Sequence, residues 1–370
     1  MADQREFVVV GAGLLGLSAA RALARRGRDV VVLEQAEVGH ETAGSKGSCR
    51  IFRFGYGDPA YVTAVRRARA LWSELEAECG QQLLFPTPQL TFGDQLTAVH
   101  QAMQAAGAPC ELLPAAKAAA RFPGVRAGGP VLLEPESCVT AADRALQALA
   151  AAVPQIRTAV RVTGLADDGR RVTVRTDAGP LSARAAIICA GPWTSGLLAG
   201  LGVTVPAVPT LEQVAYLVPA AGLVPAGEPD PGLPIFICYG RQSPYGLPVP
   251  GSSLYKIGIH PSGPPVDPGC QDQGADPALA QRLALVARQY LPGLDPRPVR
   301  TERCVYDNSP DEDFIVDRIG NVVVGAGTSG HGFKFGPLFG EWLACLATGE
   351  QDQLPGPRFA LARFGPGLSG

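Results

Sequence analysis

Two arginines stand three residues apart in GSCRIFRFGYG, the stretch from Gly47 to Gly57. Arg50 and Arg53 lie among bulky apolar side chains, and a guanidinium held in such company needs an anion or a set of carbonyl oxygens for its donors. Carboxylate, phosphate and backbone carbonyl are the candidate partners. Lysine is scarce: Lys46, Lys117, Lys256 and Lys334 are four among 32 basic residues. Arginine therefore meets the ordinary need for surface charge, and a lysine in an apolar or glycine-rich setting invites a specific reason. Lys256 in LYKIGIH and Lys334 in SGHGFKFG occupy such settings. Lys334, between Phe333 and Phe335, is costly to bury without an anion, unless its stem runs past the two rings to water.

In LYKIGIH the alternation of a strand puts Leu254, Lys256, Gly258 and His260 on one face and Tyr255, Ile257 and Ile259 on the other. A lysine, a gap and a histidine then share a surface, and a flat ring or a substrate can approach the backbone at Gly258. Nine cysteines are an odd number, none in a CxxC pair or a zinc-like spacing, which reads as reduced thiols without a metal.

These residues need a frame. Residues 6–34 read strand, glycine turn, helix, strand, with Gly11, Gly13 and Gly16 as GxGxxG directly after the first strand and Glu34 closing the second. This is the pattern of a dinucleotide site: the glycines admit a pyrophosphate to the helix N-terminus, and the acid accepts hydrogen bonds from a ribose. Asp58 and Pro59 open a helix that Gly80 stops. Short strands follow over 156–191 and end in AAIICAGPW, where Ala190 and Gly191 pass close to a ligand. Further strands are expected in EQVAYLVP, LPIFICYG and SSLYKIGIH, a helix after Asp276, and then strand NVVVGAG, loop TSGHGFKFG and a last helix. The loops from 220 to 250 carry no readable pattern.

At 370 residues, two interleaved domains are the prior. With 46% hydrophobic residues, 18% charged residues and a net charge of -2, nothing marks a disordered, nucleic-acid-coating or membrane-surface protein. The N-terminal stretch shows no signal segment and no apolar run reaches the ~18 residues of a membrane span, which reads as a soluble cytoplasmic protein with a small-molecule partner.

GxGxxG with Glu34, GSCRIFRFGYG, AAIICAGPW, LYKIGIH, RCVYDNSPDEDFIVD and GTSGHGFKFG occur in an order and spacing that resembles the monomeric sarcosine oxidase and N-methyltryptophan oxidase group of FAD-dependent amine oxidases. The resemblance covers nearly the whole chain and is most specific at SGHGFKF and the cysteine segment before it. It implies FAD, bonded covalently through Cys304. It places Lys256 beside the flavin to promote reaction with oxygen, His260 along the substrate pocket and Arg50 against the flavin. Arg53 and Lys334 would grip the substrate carboxylate, and Tyr306 and Tyr245 match aromatic positions of the pocket. The glycines of the last loop, Gly330 and Gly332, would present backbone N–H groups to the pyrimidine edge of the flavin. One departure stands upstream: where GSHHG is common in the group, the segment GSKGS here offers only GSKG before Ser48, a residue shorter, and carries Lys46.

The fold expected is α/β plus α+β, a Rossmann-like FAD-binding domain over 1–85, 140–205 and 300–370 interleaved with a substrate domain over 86–139 and 206–299 built on a mixed or antiparallel sheet. The activity expected is oxidation of a secondary amino acid such as sarcosine to the primary amino acid, formaldehyde and hydrogen peroxide, by a monomer. A cyclic imino acid of the pipecolate or proline kind would use the same clamp. A non-oxidase flavoprotein dehydrogenase, a non-catalytic flavin-binding subunit and a nicotinamide enzyme are the other readings.

Overall fold

The computed structural model describes residues 3–220, 232–269, 274–351 and 354–365. The second half of the strand Asp3–Val10 is buried on both faces: Phe7 and Val9 join one core and Val8 and Val10 the other, as a central parallel strand requires. It pairs in parallel with Leu181–Ile188 on one side and Val30–Leu33 on the other. Ile156–Arg157 extends the sheet beyond Val30–Leu33, and Val322–Ala326 runs parallel to Leu181–Ile188. Helices Leu14–Arg25 and Gly336–Thr348 cover one face and cross closely, because a Cβ at Gly340 would lie 2.4 Å from the Ser18 carbonyl. The strands expected over 156–191 include an antiparallel ribbon, Val162–Asp167 and Val172–Thr176, on the edge of Leu181–Ile188. In the helix Pro59–Cys79, the Asp58 side chain accepts from Ala60 N at 2.8 Å, and Gly80 ends it in the left-handed region at φ 65°.

The second sheet has eight strands, in spatial order Arg300–Asn308, Val208–Leu217, Tyr255–His260, Ser243–Pro248, Ile235–Tyr239, Gln89–Gly93, Val131–Glu134 and Glu111–Leu113. It is antiparallel except where Ile235–Tyr239 runs parallel to Gln89–Gly93. A three-stranded sheet of Cys49–Phe52, Cys138–Ala141 and Leu84–Pro86 lies apart from both. One expected boundary is corrected. The stretch after residue 300, assigned above to the FAD-binding part, begins with the edge strand of the second sheet, paired in unbroken register from Val208↔Asn308 to Tyr216↔Arg300. Its polar sequence, RTERCVYDN, hides a strand because one of its flanks has no partner strand. Among the described residues no helix is long and apolar enough to cross a membrane, and no group of His, Cys, Asp and Glu is placed to hold a metal ion.

Candidate active site and cofactor cleft

Two cavities of about 540 and 510 Å³ meet at a seam lined by Arg50, Tyr306, Gly330 and Phe333. The first runs along the carboxyl ends of the parallel strands, where open α/β sheets take their ligands. Gly11, at φ 100°, turns the chain so close to the end of Leu181–Ile188 that a Cβ would fall 2.4 Å from the Cys189 carbonyl. Gly13 precedes a helix with no side-chain cap and no acid in its first turn, so its N-terminal potential is open to an anion. Ser45 Oγ accepts the Leu14 N–H at 3.1 Å. Glu34 accepts from Ala12 N at 2.8 Å and Ala36 N at 3.0 Å, which holds its carboxylate at one end of the cleft. Gly191, Gly330 and Gly332 line the cleft as well. Gly16 does not: a Cβ there would strike the Gly11 carbonyl, at 1.9 Å, so this glycine seats helix on strand instead of touching a ligand. An elongated cleft with a helix N-terminus free of acidic side chains in its first turn, a carboxylate at one end and glycine walls fits FAD.

The second cavity gathers Arg50, Arg53, Tyr245, Lys256, His260, Cys304, Tyr306 and Lys334, brought there by five separate segments. The two arginines differ sharply. Arg50 gives its donors to backbone: Cys49 O at 3.0 Å, Lys46 O and Gly44 O at 3.4 Å. Its guanidinium also lies 5.6 Å from the Phe333 ring centre. Arg53 stands 4.1 Å over the Tyr56 ring, and its Nη1 is sealed from solvent with no hydrogen-bond partner among the described residues. A buried, unsatisfied guanidinium nitrogen is costly, so it marks a place where an anion belongs.

Lys334 is buried, and its ammonium donates to the Tyr56 hydroxyl at 2.9 Å and to His331 O at 2.6 Å. Trp72 Nε1 fixes the segment by donating to Lys334 O at 2.8 Å. Burial, then the neighbouring Arg53 charge, hold the Lys334 ammonium well below its usual pKa, with Glu134 opposing. His331 Nε2 faces the Glu312 carbonyl at 2.9 Å and must donate there, which leaves Nδ1 to accept from the Tyr56 hydroxyl at 3.1 Å. The chain of donors therefore runs from Lys334 through Tyr56 and His331 to a carbonyl. It requires a neutral imidazole, in line with the burial that lowers the His331 pKa.

Lys256 and His260 share the face expected of them, while Tyr255, Ile257 and Ile259 enter the core behind. Lys256 Nζ donates to Cys49 O at 3.2 Å, and burial followed by the Arg50 charge lowers its pKa. Burial likewise lowers that of His260, whose ring centre is 5.6 Å from that of Tyr306. The space over Gly258 is not a ligand's: Tyr245 fills it, with its hydroxyl 2.4 Å from where a Cβ would be. Tyr306 in the same way lies on Gly330, at φ 70°. Burial raises the Cys304 thiol pKa, against the charges of Arg50 and Lys256.

Sequence reasoning missed Tyr56, His331 and Tyr239 on the cavity wall, and two buried carboxylates behind it. Glu134 Oε2 accepts from Phe54 N at 3.0 Å and Gly55 N at 2.8 Å, the two residues after Arg53. Glu212 Oε2 accepts from Ser262 N at 2.9 Å and Gly263 N at 2.8 Å, just beyond His260. Each carboxylate holds the loop that follows a site residue. A signal existed for Glu134, an acid in the apolar run VLLE, but none distinguished Glu212.

Residues 6–346 match the family model described as FAD dependent oxidoreductase. The chain belongs to this family. Among FAD dependent oxidoreductases it is 33% identical to human peroxisomal sarcosine oxidase, over 98% of each chain. It is 30% identical to monomeric sarcosine oxidase from Bacillus sp. strain NS-129, over 94% of each. Among solved structures, the open form of NikD, an unusual amino acid oxidase essential for nikkomycin biosynthesis, superposes with a TM-score of 0.83 at 28% identity, covering 97% of this chain and 98% of NikD.

Proposed function

We propose that the protein oxidises a secondary amino acid, with an N-methyl amino acid of the sarcosine kind as the substrate class, to the primary amino acid, formaldehyde and hydrogen peroxide. The observation that carries this reading is the unpartnered Arg53 Nη1 beside the buried Lys334 ammonium. Two buried cations, one with an unpartnered donor, on a cavity wall suit a carboxylate, and the homologous sarcosine oxidases act on substrates that carry one. FAD, when bound along the first cavity, supplies the two-electron acceptor for the carbon–nitrogen bond and returns the electrons to dioxygen. Gly11, Gly13 and Glu34 would hold its adenosine and pyrophosphate, and Gly191, Gly330 and Gly332 its flavin half.

Arg53 and Lys334 orient the carboxylate and so fix where the amine lies relative to the seam. Their positive potential, with that of Arg50 and Lys256, lowers the pKa of the bound amine and favours the neutral form that reacts. Lys256 places a charge next to the seam, where negative charge develops on oxygen. His260, Tyr245 and Tyr306 wall the chamber against water. Cys304 is the residue for covalent attachment of the cofactor, and the chain works as a cytoplasmic monomer.

The test is anaerobic. The yellow protein mixed with sarcosine should lose its flavin absorbance, whereas dimethylamine, which lacks the carboxylate, should leave it unchanged. Bleaching by both sinks the clamp; bleaching by neither, with bleaching by pipecolate or proline, moves the substrate to the cyclic class. Yellow colour that stays with acid-precipitated protein, and is lost in Cys304→Ala, supports the thioether.

A further inference from the structure

Asp307 ends the sequence CVYD on the edge strand that also carries Cys304 and Tyr306, and it lines the first cavity, not the second. Only 6% of the residue is exposed. One carboxyl oxygen, Oδ2, accepts the Gly327 N–H at 2.7 Å, and the backbone carbonyl accepts Ser329 N at 2.9 Å. Both donors belong to the loop that leads from Val322–Ala326 toward Gly330. Among the described residues the other oxygen, Oδ1, takes no hydrogen bond and no cation pairs with it. Burial accordingly pushes the acid up to about 7, against the single Gly327 bond. A carboxyl oxygen so placed on the cavity wall is available to a hydrogen-bonding group that the chain itself does not supply.

Its position says which group. Gly11 and Gly13, where a pyrophosphate belongs, lie toward one end of the cleft, and Arg50, Gly330 and Phe333 mark the seam where a flavin ring would reach the substrate chamber. Asp307 adjoins Tyr306 at that seam and Gly327 at the mouth of the parallel sheet, between the two. We propose that Asp307 is a cofactor-binding residue, its free carboxyl oxygen taking a hydroxyl of the polyol chain that joins flavin to pyrophosphate. A hydroxyl suits this oxygen in either protonation state, since it donates to the carboxylate and accepts from the acid. The inference rests on the reading of this cavity as the FAD site.

The test uses the full-length chain carrying Cys304→Ser, so that FAD exchanges freely, and titrates the apoprotein with FAD and separately with ADP, which has the pyrophosphate and adenosine but no polyol. Adding Asp307→Ala should weaken FAD about tenfold, as expected for one lost hydrogen bond, and leave ADP affinity within about twofold. Asp307→Asn, which keeps an oxygen at the same place, should stay within about threefold of the parent for FAD. Asp307→Leu stands in if the alanine variant does not fold. Equal losses for FAD and ADP, or no loss for FAD, overturn the assignment. A parent protein that binds neither ligand overturns the FAD reading itself.

Discussion

The Lys334 ammonium and the His331 ring meet on one oxygen, the hydroxyl of Tyr56, which accepts from the lysine at 2.9 Å and donates to His331 Nδ1 over 3.1 Å. The same ring carries the Arg53 guanidinium on its face at 4.1 Å. Tyr56 therefore spaces the two cations that await an anion. In Tyr56→Phe the ring and its stacking survive, but Lys334 loses an acceptor and His331 a donor. A lost hydrogen bond to a charged group is worth about 1.5–3 kcal/mol, so KM for sarcosine should rise roughly 10- to 150-fold with kcat changed far less. Steady-state kinetics check this; an unchanged KM would place the carboxylate elsewhere.

Lys334 also sets a pH dependence. Its free-enzyme pKa is depressed by burial and Arg53, and a bound carboxylate favours the ammonium, which moves the pKa back up. Binding therefore takes up a proton between the two values. Affinity for a simple carboxylate such as acetate should be full below the free-enzyme pKa and fall as pH rises through it. Titrations from pH 6 to 10 measure the slope, which should vanish in Lys334→Met together with a roughly 30- to 150-fold loss of affinity at neutral pH.

Much of this site was legible because its residues sit in patterns with one physical reading. The glycine turn and Glu34 lie at fixed offsets around a strand and a helix, and strand alternation alone separates Lys256 and His260 from Ile257 and Ile259. What stayed hidden depends on contacts distant in sequence. The two arginines look alike in GSCRIFRFGYG, yet Arg50 spends its donors on the carbonyls of residues 44, 46 and 49 while Arg53 keeps one free. Glycines were misassigned for the same reason. Gly258 makes room for Tyr245, and Gly16 for the Gly11 carbonyl, neither neighbour being visible in local sequence.

Asp307 should weaken the apoprotein as pH rises. Its folded pKa, about 7, lies above the unfolded value of 3.8, so the folded state holds more protons between the two. Stability from this group is present below about pH 4 and is lost as pH climbs toward 7, by at most about 4 kcal/mol. Asp307→Asn, neutral at every pH, should raise the melting temperature of the apoprotein at pH 8 relative to the parent and make little difference at pH 4. Parallel melting curves at the two pH values would show that the carboxyl is not buried alone.

Gly330 combines a left-handed backbone, φ 70°, with a Tyr306 ring atom 2.1 Å from where its Cβ would be. Gly330→Ala must displace that ring from the seam and strain the loop, at a cost of about 1–3 kcal/mol. The expected signature is a lower melting temperature with an altered flavin absorbance spectrum, since Tyr306 lines both cavities. A stable variant with an unaltered spectrum would remove Tyr306 from the cofactor's surroundings.

Glu134 and Glu212 solve one problem twice, and their variants should separate the two halves of the chamber. Glu134 binds the N–H groups behind Arg53 and also takes Gln89 and Thr91 on its other oxygen, at 2.7 and 2.8 Å. Glu212 binds those behind His260. Glutamine at either place turns an amide toward existing donors and leaves some unsatisfied, so both variants should lose stability, by about 2–4 kcal/mol. Their functional effects should differ. The buried Glu134 charge acts on both clamp cations, opposing the depression of the Lys334 pKa. Glu134→Gln should therefore shift the alkaline limb of acetate binding to lower pH, an effect mere loosening of the loop would not produce. Glu212→Gln should leave acetate affinity and its pH limb within about threefold of the parent while lowering kcat through His260. Matching pH limbs in the two variants would reduce Glu134 to a structural brace.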